Sequence, residues 1–304
     1  MAQITAALVK SLREQTGAGM MDAKKALVES DGDTEAAIEW LRAKGLSKAA
    51  KKSDRTAADG LVAVALSDDG KTGALVELNA ETDFVARNEQ FQIALRQIAE
   101  TALSTDGTLE GLQSADAPDG DGNVEDMIKR MVATIGENMT LRRTTKLDVT
   151  SGSVASYIHN AEADGMGKIG VLVALEGDGD YAEAGKKIAM HVAAANPAAE
   201  AATVDELDPA LVEKEKTFLT EQARESGKPE NIIENMIQGR IKKFYKEVVL
   251  VEQVFLLDPD TTVGKFIGTT GAALKGFARF TLGDGIEKEE EDFAAEVAAA
   301  TKGG

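Results

Sequence analysis

Gly73-Ala74-Leu75-Val76-Glu77-Leu78 and, 97 residues further on, Gly170-Val171-Leu172-Val173-Ala174-Leu175 are the stretches that decide the fold. Each is a short apolar run of strand character. Each follows another such run across a turn: residues 61–66 (LVAVAL) before SDDGK, and 153–159 before Asp164 to Lys168, which is a hairpin signal. The same offset carries Asp83-Phe84 onto Asp180-Tyr181, so two related half-domains are the simplest account.

Working outward, a helix is expected after each hairpin. Asn88 can cap the first, which carries the stripe Phe91, Leu95, Ile98 and Leu103, and the second runs through Ile188 and Val192. Residues 104–123 are acidic and glycine-rich and read as loop; Ile128, Met131, Val132, Ile135 and Met139 stripe another helix, and 144–150 read as strand. Upstream, residues 4–45 read as three short helices sharing a small core. Gly17 and Gly19 end the first, Asp22 caps the second, Gly32 breaks it, Asp33 or Thr34 caps the third, and Gly45 stops it. Downstream, Asp208-Pro209 starts a helix, Ser226 to Pro229 stop and restart it, and Ile233, Ile237, Ile241 and Phe244 stripe the return. That is an antiparallel hairpin, with a thinner stripe (Leu211, Val212, Phe218, Leu219) on its first arm. It is expected to protrude and to contact a partner or a second copy. Residues 248–257 read as strand, 262–274 as helix and 276–282 as strand, followed by a charged helical tail. The fold class is therefore α+β.

A chain of 304 residues with a net charge of −18 repels phosphate backbones, so nucleic acid is not expected as a direct partner. Lys44, Lys48, Lys51, Lys52 and Arg55 form one basic stretch, but no aromatics are interleaved for base stacking, and it reads as a solvated helix end and linker. There is no cysteine, which excludes disulfides, thiolate metal sites and cysteine nucleophiles. Two histidines leave little for zinc. No apolar run approaches the roughly 20 residues of a membrane span, and the first residues lack a signal core, so a soluble cytoplasmic protein is expected.

The residues offer no reaction. Gly70-Lys71-Thr72 invites a phosphate-loop reading, but Ala65 stands where that motif needs glycine, and a strand follows where it needs a helix. Gly167-Lys168 fails in the same way. His191, on an apolar helix, reads as a packed histidine, whereas His159, beside Tyr157, suits a surface contact as well as a structural role. No metal, cofactor or catalytic group is expected. An isolated aromatic such as Phe84, just before a helix, reads on its own as a core or staple residue, and Tyr181 supports that; Met20 and Met21 would fill a small core.

Two stretches resemble one family. Leu12-Arg13 with Thr16 to Leu27 (TGAGMMDAKKAL), and Glu77 to Arg87 (ELNAETDFVAR), are similar to the signatures of bacterial elongation factor Ts. Similarity continues through Ile135 to Asn138, Ile188 to Ala194, Gly227 to Pro229, Gly239-Arg240, Lys242 to Phe244 and Asp292 to Ala298. The resemblance implies an exchange factor that binds elongation factor Tu and promotes GDP release by distorting its phosphate and Mg²⁺ site, without covalent chemistry. It implies a ubiquitin-associated-like module at 1–54, a core of two halves (55–151, then 152–204 with 246–261), a coiled-coil hairpin at 205–245 and a C-terminal module at 262–304. Carried over by matching residues, Asp83 and Phe84, with Thr82 and Val85, would press on the GTPase domain. Phe84 would be the wedge; Arg13, Met20 and Met21 would dock the first module; the region of His159 would touch another domain of the partner. A homodimer or a two-to-two complex stays open, and the competing reading is an adaptor that alters no nucleotide.

Overall fold

The computed structural model describes residues 4–225 and 229–287. The chain opens with helices α1 (Ala6–Thr16), α2 (Met20–Glu29) and α3 (Thr34–Ala50) around fully buried Leu12, Ala23, Ala26, Leu27 and Ala37. Thr5 caps α1, accepting from the Leu8 N–H at 3.2 Å, and Asp33 caps α3, accepting from Glu35 and Ala36. Two expectations need correcting here. Asp22 does not cap α2, which already starts at Met20; it lies in the first turn and meets Lys44 Nζ at 2.6 Å. Gly45 does not stop α3. The helix continues to Ala50, and a Cβ at Gly45 would stand 3.1 Å from Ala133 Cβ, so this glycine allows close packing on the neighbouring helix rather than ending its own.

Next come β1 (Asp59–Leu66), β2 (Thr72–Ala80), the one-turn α4 (Asp83–Ala86), α5 (Glu89–Ala102), α6 (Leu109–Ser114), α7 (Val124–Ile135) and β3 (Met139–Asp148). The acidic stretch 104–123 is more than a loop. Thr108 caps α6 through the Gly111 N–H at 3.0 Å, and fully buried Leu112, with Ala117 buried and Leu109 and Ala115 packed beside it, fixes this polar segment on the core. Met139 belongs to β3 rather than to the stripe of α7, because Gly136, at φ 95°, turns the chain first.

The second half brings β4 (Gly152–Ala163), β5 (Met166–Glu176) and α8 (Ala182–Ala194). Helices α9 (Pro209–Glu225) and α10 (Glu230–Val248) pair through Leu219, Ala223, Ile233 and Ile237; Phe218 is not in that seam and is 58 % exposed. Residues 248–257 are not a strand. A 3-10 turn at Leu250–Glu252 interrupts them, because Gln253 points inward to His191, Pro197 and Glu247, which breaks the alternation a strand would need. Helix α11 (Val263–Thr270) ends early at Gly271, φ 77°, which frees β6 (Ala273–Thr281) for the sheet. The expected charged tail lies outside the described residues, as do Ser226 to Lys228.

Strand order is β3-β2-β1-β5-β4, with β6 on β5, all antiparallel. Strands β1 and β5 share only Val62↔Gly167 and Ala63↔Met166, so two three-stranded meanders meet at one corner. Side-chain alternation then builds three cores. Ala74, Val76 and Leu78 face α5 and α7; Val171, Val173 and Leu175 face α8 and α11; Val62 and Leu75 meet Val154, Leu172 and Ala174 between the meanders. The 97-residue offset holds for the second strand of each hairpin but not for the first: Val62 pairs with Glu77 and Val154 with Ala174, and 174 minus 77 is 97 whereas 154 minus 62 is 92. The contact between halves is reciprocal. A Cβ on Gly73 would lie 2.7 Å from Val154 Cγ1, and one on Gly170 would lie 2.6 Å from Leu75 Cδ1 and 2.7 Å from Val62 Cγ1, so both runs begin with glycine because the meanders touch there.

Glu77 is the buried charge in β2, beside the buried amide of Asn79. Burial pushes its carboxyl up, but the Gly283 N–H at 2.9 Å, Arg143 Nε at 2.6 Å and Arg142 at 3.0 Å outweigh that and hold it below the usual carboxylate range. The contact ties the segment after β6 to the N-terminal meander.

Candidate protein-docking corner

Between β2 and α5 the chain makes one helical turn and stops. Helix α4 is four residues long, too short to be stable alone. What holds it is beneath and beside it. Val85 and Ala86 are buried in the core against α5 and β2, and Gln92 Nε2 donates to the Ala86 carbonyl at 2.9 Å. Asn88 then starts α5, accepting from the N–H groups of Gln90 and Phe91. Asp83 and Phe84 are left on the outer side. Asp83 Oδ2 meets Arg87 Nη2 at 2.9 Å, a solvent-exposed pair one turn apart, and Phe84 is 76 % exposed.

The start of α4 is fixed from a distant part of the chain. Thr82 donates its N–H to Glu137 Oε2 at 3.0 Å and its hydroxyl to Glu137 Oε1 at 2.9 Å. Glu81 reciprocates, accepting the Asn138 N–H at 2.5 Å. The linker from α3 joins the same knot: Asn138 Nδ2 donates to the Arg55 carbonyl at 2.7 Å, Lys52 Nζ donates to the Gly136 carbonyl, and Arg55 meets Glu81 at 3.5 Å.

The structure brings Thr82, Asp83, Phe84 and Val85 together but gives them different places. Phe84 is no core or staple residue, because the break at Asn88 turns its side of α4 to solvent. Val85 is not available as a contact: it is 5 % exposed and anchors the turn from below. Thr82 has its polar groups turned inward to Glu137. Met20 and Met21 are not core fillers; at 62 % and 76 % exposed they crown the first turn of α2, across the Gly17 to Gly19 turn from exposed Arg13. His159 is half-buried in β4, opposite Ile169, with its Nδ1 3.4 Å from the Tyr157 hydroxyl. His191 is 1 % exposed. Its Nδ1 accepts the Leu256 N–H at 3.2 Å, so Nε2 carries the proton toward Gln253 Oε1 at 2.9 Å, and burial holds the ring below the usual histidine range.

Part of the basic stretch is spent internally, Lys44 on Asp22 and the Trp40 ring, Lys52 and Arg55 on the knot around residues 136–138. Sequence reasoning gave no role to Glu81, Glu137, Asn138 or Lys52. Acids beside a Thr-Asp pair and a Gly-Glu-Asn turn were visible, but the contacts between the two lie 55 and 57 residues apart, and those to the linker 26 to 85. Among the described residues no group of His, Asp or Glu side chains is arranged for a metal ion, and no helix is long and apolar enough to cross a membrane.

A family model described as "Elongation factor TS" matches residues 81–284. Proteins named "Elongation factor Ts" from Hyphomonas neptunium, Rhizobium rhizogenes and Caulobacter vibrioides are 70 %, 59 % and 56 % identical; the first two alignments cover 100 % of both chains and the third 99 % of each.

Proposed function

The chain belongs to the elongation factor Ts family, and from that premise we infer that it is a nucleotide-exchange factor for elongation factor Tu in translation elongation. It does no covalent chemistry. The route is read from the corner. Phe84 enters the GTPase domain as a wedge, and Asp83 adds the polar contact that fixes where the ring goes, so that the partner's phosphate and Mg²⁺ site is distorted and GDP leaves. One observation carries this: a phenyl ring 76 % exposed on a turn whose underside is buried. Burying such a ring yields about 1.5–3 kcal/mol, and each 1.4 kcal/mol spent on the nucleotide site is about tenfold in its affinity. Coupling is reciprocal, so nucleotide weakens the factor by the same ratio and GTP displaces it.

In this reading the α1–α3 bundle is a ubiquitin-associated-type module that docks through Arg13, Met20 and Met21. The surface near His159 meets another domain of the partner, and the α9–α10 hairpin is a separate arm. Stopped-flow release of a fluorescent GDP from elongation factor Tu tests the wedge. Phe84→Ala is expected to slow release at least tenfold at saturating factor while weakening the nucleotide-free complex much less. Equal losses in both would remove the wedge, and no acceleration by the unaltered protein would favour the adaptor reading.

A further inference from the structure

The one-turn helix that carries Phe84 has little internal means of fixing its direction. Its orientation comes from what grips it, and the grip on its leading residue is Glu137: one carboxylate receives both the N–H and the hydroxyl of Thr82. A residue away, Asn138 is 5 % exposed and spends its backbone N–H on Glu81 and its side-chain amide on the carbonyls of Arg55, at 2.7 Å, and Ser53, at 3.4 Å. Those two carbonyls belong to the segment between α3 and β1, the covalent link to the bundle that carries Met20 and Met21. Lys52 Nζ, from the same link, grips the Gly136 carbonyl. A single tight turn, 136–138, therefore holds the root of the wedge on one side and the root of the bundle on the other. Both of its side chains bond to the chain itself, Glu137 to Thr82 and Asn138 to the linker carbonyls.

We propose that Glu137 and Asn138 are positioning residues for nucleotide exchange: Glu137 aims Phe84 through Thr82, and Asn138 sets the linker, so that bundle and wedge meet the GTPase already in register. The proposal rests on the wedge reading of Phe84. The physical reason is preorganisation. A ring on a loosely held turn must be ordered at the moment of binding, and a wedge displaced from its line of approach binds without distorting. Carboxylates suit the task because each offers two oxygens to donors at fixed geometry, where an amide side chain offers one acceptor.

A double-mutant cycle reads this. Maximal GDP-release rate and half-saturating factor concentration would be measured for wild type, F84A, E137A, E137Q and the pair F84A/E137A, with thermal midpoints alongside. E137A is expected to lower the maximal rate roughly tenfold, which is about 1.4 kcal/mol of coupling, while the half-saturating concentration moves less. E137Q keeps one acceptor for the Thr82 N–H and is expected to recover a large part of the rate. Added to F84A, E137A is expected to cost less than about twofold more, because a residue acting through Phe84 has nothing left to aim. N138D removes the donors to the linker carbonyls and is expected to raise the half-saturating concentration. A normal rate for F84A overturns wedge and positioning together. A slow F84A with a fully active E137A, or losses that multiply in the pair, overturns the positioning role alone, and a rate loss in E137A that E137Q fails to recover while the midpoints match does the same.

Discussion

Two corners of this molecule stand 97 residues apart and use the same letters differently. In the first, β2 leads through Asp83-Phe84 to α5; in the second, β5 leads through Asp180-Tyr181 to α8. The buried frame repeats: Leu78 and Leu175, Phe91 and Ile188, Leu95 and Val192 are all fully buried. The acid and the aromatic do not. Asp180, itself exposed, is tied to its own corner, accepting from the Ser153 hydroxyl at 3.2 Å and the Ala182 N–H at 3.0 Å, and half-buried Tyr181 lies on the backbone of Gly177 and Gly179 with its hydroxyl accepting the Gly179 N–H. Among the described residues the Asp83 side chain pairs only with Arg87, one turn on, and Phe84 faces solvent. The difference traces to one position. Asn88 breaks the helix in the first corner, whereas its counterpart Gly185 lies inside a continuous α8, close enough that a Cβ there would be 2.7 Å from Ala155 Cβ. A repeated frame thus leaves the role of its corners open, and a local break decides it.

The sharpest way to break the comparison is to truncate both aromatics. Phe84→Ala should leave stability within about 0.5 kcal/mol, since little buried surface is lost, while GDP release slows at least tenfold. Tyr181→Ala should do the reverse, losing about 2 kcal/mol of stability in urea titrations while the release rate at saturating factor holds. If Tyr181→Ala also slowed release as much, the two corners would not be functionally distinct.

Where the halves touch, they should behave alike. Gly73→Ala and Gly170→Ala each drive a methyl into the opposite half's valine and leucine, and each is expected to cost about 1–3 kcal/mol by overpacking. Urea midpoints for the two variants test the symmetry; a cost confined to one of them would mean that only one half is rigid at the contact.

Asn88→Ala removes the cap that separates α4 from α5 and should cost about 1 kcal/mol. With the break weakened, the first corner is free to copy the second and run as one helix, which would carry Phe84 away from its outward direction. Release should slow by more than the stability loss explains, and an unchanged rate would show that Val85 and Ala86 hold the turn without help.

What was legible in the sequence was local. Asn88, Asp33 and Asp208 announce their helices because a cap and its recipient are two or three residues apart, and the hairpins announce themselves by alternation and turn chemistry. Leu112 in the acidic stretch, Gln253 turning inward in an apolar run, and Gly45 passing through a helix were misread, because each is decided by a neighbour far along the chain. The candidate site divides in the same way. The acid and aromatic were visible, and the exposure of Phe84 was the expectation of the family resemblance against that of the residues alone. The grip of Glu137 on Thr82, 55 residues away, has no local signal at all.

The halves also differ in which titratable group they bury, and this separates them by pH. Glu77 in β2 occupies the place that Ala174 holds in β5, and His191 in α8 the place that Ala94 holds in α5. Both groups sit below their ordinary ranges in the fold, so for both the deprotonated form is favoured there and stability falls as pH drops. The windows differ. For His191 the unfolded chain begins to take up a proton below about pH 6.5, for Glu77 only below about 4.5, and each loss continues down to the folded value at no more than about 1.4 kcal/mol per pH unit. Protonated His191 would set a second N–H against the Leu256 N–H, so the C-terminal half should loosen first. Amide exchange followed from pH 7 to pH 5 should show protection falling in β5 and α8 before β2, and His191→Gln should flatten the dependence of the thermal midpoint on pH between about 6.5 and 5. Equal loss across both halves in that window would mean that the buried imidazole is not what makes them unequal in acid.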